Sequence, residues 1–392
     1  MLDAQRLVAL CREKGFGFFA GTPCSLLSPL INAVIDDPKA VYLNACNEGD
    51  AVAAVCGAAL AGRKGVALFQ NSGLGNAVNA LTSLAYPYRF PLLLIVSLRG
   101  DPEGQPDGPQ HSLMGAVTGR LLDEMRIAWE WFPAEDNQIK GALERIDRHL
   151  AEKQLPYALV VKRESLAPFQ RLGPRGDERG ERWKGLLQQG RKRPLPRRIS
   201  RTEALSVLLR RTSSDDVVVT TTGKTSRELC ALKDRENHFY MVGSMGCASS
   251  LALGLALNRP QRRVVAVDGD GALLMRMGNM ALIGACRPGN LLHLLLDNES
   301  YDSTGGQETV SPHVSFAAVA QAVGYARAYA ADDPETLGQI LEQPPAEKGA
   351  TFIHFRIKAG SPRGLQRPRL APFEVKERLM RHLKSECFLA NP

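Results

Sequence analysis

Val264-Val265-Ala266-Val267-Asp268-Gly269-Asp270-Gly271, followed further on by Leu291-Leu292-His293-Leu294-Leu295-Leu296-Asp297-Asn298, is the stretch that decides the fold. Each part begins as a short apolar run and ends abruptly in polar residues, with glycine in the first. That pattern reads as two strands buried on both faces, as in a parallel sheet. In open α/β sheets ligands sit beyond the carboxyl ends of the strands, which is where Gly269-Asp270-Gly271 and Asn298 fall. Glycines let the backbone approach a phosphate closely, and the Asp270 carboxylate and the Asn298 amide oxygen are hard ligands suited to Mg²⁺. Gly-Asp-Gly alone is also a common turn. A metal-bridged diphosphate fits this arrangement.

Outward from this stretch the same grammar recurs. Val217 to Thr221 and Phe352 to Ile357 read as further strands of the second half, and Phe16 to Ala20, Val41 to Ala45, Val66 to Gln70, Leu92 to Ser97 and Ala158 to Lys162 as strands of the first. Helix-length segments such as Ala51 to Leu60 and Gly75 to Leu84 separate them, so each half is a βα repeat. The expected fold is α/β, with two doubly wound, mostly parallel-sheet domains. The boundaries predicted are a first domain over 1–165, a linker over 166–200, a second domain over 201–375 and a C-terminal helix or tail over 376–392.

The totals agree with this division. A chain of 392 residues, 44% apolar and 23% charged, suits two soluble domains. Apolar runs such as Pro91 to Val96 fall far short of the roughly 20 residues that span a bilayer, and Met1 to Lys14 has no secretory pattern. Eight cysteines are scattered without paired spacing, which predicts reduced thiols and a cytoplasmic protein. Much of the net charge of +8 lies between Arg163 and Arg201. With only Trp183 interleaved there, the stretch reads as a solvated connector and not as a nucleic-acid surface.

Gly269-Asp270-Gly271 with the spaced Asn298 resembles the diphosphate-binding signature of the thiamine-diphosphate-dependent enzymes. The resemblance implies thiamine diphosphate and Mg²⁺ as cofactors, with Asp270, Asn298 and the backbone carbonyl of Ser300 on the metal and Gly269, Gly271, Ala272 and Tyr301 beside the diphosphate. Asp297 departs from the asparagine often found before the ligand, at a position not expected to touch metal. Thr222 and Gly223 follow a strand and open a predicted helix, whose free N–H groups favour an anion. Within Gly243-Ser244-Met245-Gly246, Ser244 and Met245 match the place where a bulky apolar side chain props the cofactor. In the first half Glu48, within Asn47-Glu48-Gly49-Asp50, matches the glutamate that bonds the aminopyrimidine ring and so helps form the cofactor carbanion. Gly75 and Asn76 are placed beside the cofactor by the same likeness. Because Glu48 and Asp270 lie in different halves, which in this family usually meet across a subunit interface, a homodimer or higher homo-oligomer is expected.

Several strings narrow the resemblance to the two-domain decarboxylases of phosphonopyruvate, with the sulfopyruvate decarboxylases as neighbours. They are Gly21 to Leu27, Gln70 to Asn76, Arg99 to Pro102, Pro109 to His111 and Asp302 to Gln307. The implied reaction is decarboxylation of a small 2-oxo acid that carries a second anionic group, with no nucleic acid or membrane partner. Such an anion needs fixed cations and aimed donors, and Ser25, Arg99, His111 and Lys224 are the candidates. His111 is also a candidate to relay a proton. Cys24 reads as a packed residue, and the Asp302 to Gln307 loop as a lid over the metal site. A carboligase and a subunit without catalysis are the rival readings.

Overall fold

The structure, a computed structural model, describes residues 1–133, 135, 137–170, 188–189, 198–303 and 306–385. The chain forms two compact units, Met1–Arg179 and Gly180–Pro392. Most of the expected basic linker lies outside the described residues.

The first unit runs α1 (Ala4–Glu13), β1 (Phe16–Gly21), α2 (Ser28–Asp36), β2 (Val41–Asn44), α3 (Glu48–Leu60), β3 (Lys64–Gln70), α4 (Leu74–Ala80), β4 (Leu93–Ser97), α5 (Ser112–Glu124), β5 (Ala128–Trp131), α6 (Ile139–Lys153) and β6 (Tyr157–Val161). Its sheet has the order β2-β1-β3-β4-β6-β5, and every pairing is parallel. The central strand β4, Leu-Leu-Ile-Val-Ser, is buried along its whole length, as a strand covered on both faces must be. Helix α3 is buried from Gly49 to Leu60. Its run of alanine, glycine and valine keeps the helix slim, so that it lies close against β1 and β3. The strand order reverses between β1 and β3, and such a switch point opens a crevice at the strand ends.

The second unit runs β7 (Gln188–Gln189), α7 (Arg201–Arg210), β8 (Val217–Thr220), α8 (Lys224–Leu232), β9 (His238–Tyr240), α9 (Ala248–Asn258), β10 (Val264–Gly269), α10 (Asp270–Met275), α11 (Gly278–Cys286), β11 (Leu291–Asp297), the short hairpin β12 (Ser300–Tyr301) and β13 (Gln307–Glu308), α12 (Phe316–Ala322), β14 (Arg327–Ala331), α13 (Pro334–Leu341), β15 (Thr351–Arg356) and α14 (Pro372–Ser385). The main sheet, in the order β7-β14-β15-β11-β10-β8-β9, is again parallel, and its switch point lies between β8 and β10. Some polar residues in this core are hydrogen-bonded to one another. Asp268 on β10 meets His293 on β11 at 3.3 Å, and His293 meets the Tyr325 hydroxyl at 3.1 Å.

The expected strands all appear, with ends shifted by a residue or two. Beyond them lie β5 and β14, near the sheet edges and only partly buried, and β9, three residues long. The helix expected from Gly75 to Leu84 begins at Leu74 and passes at Leu81–Ala85 into a wider π-helical turn.

Candidate active site

In the first unit the crevice at β1 and β3 is organised around Glu48. Asn47 caps α3 by accepting the Gly49 N–H at 2.9 Å, which places Glu48 as the first helical residue, half-buried. The Thr22 hydroxyl, just past β1, donates to Glu48 Oε1 at 3.0 Å, and the Asn76 amide, on α4, donates to Oε2 at 2.8 Å. A Cβ on Gly73 would sit 2.3 Å from Glu48 Oε1. Gly73 has an ordinary helical backbone, φ −78° and ψ −10°, so a larger residue here would be accommodated only by pushing the Glu48 side chain aside. Gly75 has open space where a Cβ would stand. Sequence reasoning placed Glu48 and Asn76 and missed Thr22 and Gly73 as their partners, although both fall in strings it had singled out.

The anion-binding candidates of this unit are placed less simply. Arg99 follows β4, and the fully buried Asn71 fixes its backbone by accepting the Arg99 N–H at 3.1 Å and donating to the Arg99 carbonyl at 3.0 Å. Its guanidinium is engaged by Asp107 through two 2.6 Å bonds, a fork-to-fork pair. Those bonds, with the Gly108 and Gly100 N–H groups, hold the Asp107 carboxyl well below the usual range. His111 is buried, and its Nδ1 has no partner among the described residues. Ser25 is exposed at the start of a 3₁₀ turn. Cys24 is buried, with Sγ 2.9 Å from the Ser97 hydroxyl, the packed setting expected for it. Lys224 belongs to the other unit, as the half-buried first residue of α8.

In the second unit Asp270 opens α10 directly after β10 and is 1% exposed. Its Oδ2 accepts the Thr309 hydroxyl, and no cationic side chain pairs with it among the described residues. Burial therefore pushes its carboxyl up to about 6, against the Thr309 hydrogen bond. Asn298 lies one residue past β11, 6% exposed, and its Nδ2 donates to Asp302 Oδ2 at 2.7 Å. Asp297 accepts the Glu299 N–H at 3.0 Å and the Ser311 hydroxyl at 2.7 Å, while its other oxygen meets His354 Nε2 at 2.7 Å. Burial raises the Asp297 carboxyl, but these hydrogen bonds outweigh it and leave the group below its ordinary value. The aspartate in place of a family asparagine is thus built into the core, and Glu299 turns the chain with φ +59°.

The remaining residues of this half gather at the same strand ends. Gly223 caps α8 with φ +94°, a conformation that favours glycine. Ser244 is buried at φ +51°, and Gly246 follows at φ +91°. This bent backbone carries Met245 half-buried between them, and such strained positions cluster at functional sites. Ala272 is buried in α10. The Tyr301 ring lies over Gly271, where a Cβ would approach it to 2.3 Å. Ser300 and Tyr301 form β12, paired with β13. Asp302, in the loop read as a lid, is held by Arg201 at 2.7 Å and by the Gly360 N–H at 3.2 Å. Thr304 and Gly305 of that loop lie outside the described residues.

Three observations bear on whether this half fits a metal-bridged diphosphate. Gly269 has nothing within 4 Å of where a Cβ would stand, which leaves its backbone open to close approach. The buried Thr221 hydroxyl, at the end of β8, has no partner among the described residues. Asp270 is a buried carboxylate without a counter-charge, and the Asn298 amide commits only its nitrogen to the protein. The residues fit such a group. Among the described residues no cluster of three His, Cys, Asp or Glu side chains could hold a metal, so this would be a site of one carboxylate, one amide oxygen and a main-chain carbonyl, completed by phosphate oxygens.

Comparison with known proteins agrees with this geometry. Residues 3–117 match the model of the thiamine pyrophosphate enzyme N-terminal TPP binding domain, and residues 221–355 that of the C-terminal TPP binding domain. A phosphonopyruvate decarboxylase of Streptomyces viridochromogenes is 45% identical over 380 residues, 96% of this chain and 94% of the relative. A sulfopyruvate decarboxylase of Methanosarcina acetivorans is 30% identical over 396 residues, 98% of each chain. In fold, the crystal structure of benzoylformate decarboxylase from Polynucleobacter necessarius superposes with a TM-score of 0.71 at 14% identity, covering 92% of this chain and 100% of that one. No helix among the described residues is long and apolar enough to cross a membrane. The chain therefore belongs to the thiamine pyrophosphate enzymes, within the group that holds the phosphonopyruvate and sulfopyruvate decarboxylases.

Proposed function

We propose that this chain decarboxylates 3-phosphonopyruvate to phosphonoacetaldehyde and carbon dioxide in the cytoplasm, using thiamine diphosphate held through Mg²⁺. The observation that carries the reading is 45% identity to a phosphonopyruvate decarboxylase across 94% of that protein's length. Residues 1–165 would bind the pyrimidine ring and residues 201–375 the diphosphate. Assembly as a homodimer or higher homo-oligomer belongs to the same proposal, because each unit carries only part of the residue set.

When bound, the thiazolium ring supplies the electron sink that a 2-oxo acid lacks for loss of carbon dioxide. Glu48 is suited to share a proton with a ring nitrogen, its two oxygens already aimed by Thr22 and Asn76. Asp270, the Asn298 Oδ1 atom and the Ser300 carbonyl would hold the metal. Gly269, Gly271, Ala272, Thr222, Gly223 and Tyr301 would frame the diphosphate, with Ser244 and Met245 supporting the ring system. His111 Nδ1, buried and without a partner among the described residues, would hold a proton for the product. Arg99, Ser25, His111 and Lys224 remain the proposed contacts of the second anionic group. Arg99 can serve there through the edge of its guanidinium that Asp107 leaves unused.

Sulfopyruvate is the second reading, favoured by the relative from Methanosarcina acetivorans. That protein matches this chain over 98% of its own length, so a fused pair of units does not separate the two activities. Carbon dioxide release from phosphonopyruvate, sulfopyruvate and pyruvate, each with and without thiamine diphosphate and Mg²⁺, tests the proposal. Cofactor-dependent release fastest from phosphonopyruvate is expected, preference for sulfopyruvate would move the substrate, and no release from any would refute the decarboxylase reading.

A further inference from the structure

We propose that Asp302 is a positioning residue, which fixes the end of the Asn298 side-chain amide that faces the metal. The inference rests on the reading of Asp270 and Asn298 as metal ligands. An asparagine amide presents an oxygen on one side and an NH₂ group on the other, and only the oxygen can coordinate a cation. Left alone, the two orientations differ little in shape. Here Nδ2 lies 2.7 Å from Asp302 Oδ2, and an ionised carboxylate only accepts hydrogen bonds. The NH₂ group is therefore drawn to Asp302, and Oδ1 is turned to the opposite side.

Asp302 can impose this choice because it is itself held. Arg201 Nη2 donates to Oδ2 at 2.7 Å, and the Gly360 N–H lies 3.2 Å from both carboxylate oxygens. Arg201 is in turn fixed by Glu228 at 2.8 Å and Ser361 at 2.9 Å, and Thr202 donates to the second Glu228 oxygen at 2.8 Å. The Arg201, Glu228 and Asp302 side chains are 6%, 1% and 11% exposed, so water competes little for these bonds. The relay Arg201–Asp302–Asn298 reaches the ligand from behind, as outer partners of metal sites do.

The test titrates Mn²⁺ into the full-length protein with thiamine diphosphate present and reads free Mn²⁺ by electron paramagnetic resonance, for wild type, Asp302→Ala, Asp302→Asn, Asn298→Ala and the Asp302→Ala/Asn298→Ala double variant. Loss of an outer partner costs about 10- to 100-fold in metal affinity, and that loss is expected for Asp302→Ala. Asp302→Asn keeps an acceptor oxygen and should stay within about threefold of wild type. The double variant should bind no more weakly than Asn298→Ala alone, because Asp302 acts only through that amide. Wild-type affinity in Asp302→Ala, or a double variant weakened by both factors together, would overturn the proposal while leaving the ligands in place. Wild-type affinity in Asn298→Ala would instead remove the ligand reading, and this inference with it. If Asp302→Ala does not fold, Asp302→Ser takes its place with the same expectations.

Discussion

Replacement of Gly73 by alanine should cripple turnover without unfolding the protein. The added Cβ would stand 2.3 Å from Glu48 Oε1 and 2.4 Å from its Cδ, where ordinary contact begins at 3.4 Å. The carboxylate must therefore retreat by about 1 Å. Its bonds to Thr22 and Asn76, now 3.0 and 2.8 Å, would open beyond hydrogen-bonding range. A displacement of about 1 Å at a reacting group costs on the order of 100-fold in rate, or about 2.7 kcal/mol of barrier. Stability should fall by only about 1–1.6 kcal/mol, short of unfolding the protein. The helical backbone of Gly73 accepts alanine, a change worth about 0.4–1 kcal/mol through the unfolded chain, while two lost hydrogen bonds cost about 1 kcal/mol each. The assay is carbon dioxide release under saturating substrate, thiamine diphosphate and Mg²⁺, with a thermal melt beside it. A variant that melts like wild type and turns over within about threefold of it would refute the argument.

Glu48→Gln should retain thiamine diphosphate and Mg²⁺, measured by calorimetry, yet lose nearly all turnover, since it keeps the shape and loses the proton-sharing oxygen; normal turnover would exclude the role. Asp270→Ala should release the cofactor, raising its dissociation constant by at least about tenfold in the same titration, and unchanged affinity would count against the metal assignment. His238 is held down to about 3 from 6.5 by burial first and by Arg235 next. Between those values the unfolded chain binds a proton that the folded one does not, so stability should fall as pH falls, by up to about 1.4 kcal/mol per pH unit. His238→Gln should flatten the acid arm of the melting curve between pH 6.5 and 5, and an unchanged slope would show that His238 is not responsible.

The parallel sheets were legible because a strand buried on both faces is predominantly apolar. Leu291–Asp297 and Leu93–Ser97 announce themselves in that way. Edge strands carry no such signature: Ala128–Trp131 is partly exposed along its length and takes its place only once β6 exists to pair with it. Glu48, Asp270 and Asn298 could be picked out because each follows a strand within a local motif.

What the sequence by itself determined is the βα grammar of both units and the residues that chemistry requires at the strand ends, since burial pattern and motif spacing are local properties of the chain. Only the tertiary structure decided which partners those residues have. Thr309 on Asp270, Asp107 in the fork of Arg99, and Asp302 between Arg201 and Asn298 are joined across 39, 8, 101 and 4 positions respectively. Two of these pairings, Thr309 with Asp270 and Arg201 with Asp302, are made by chain segments that meet only in the folded unit, and a hydrogen bond between distant residues leaves no periodicity in the sequence that makes it.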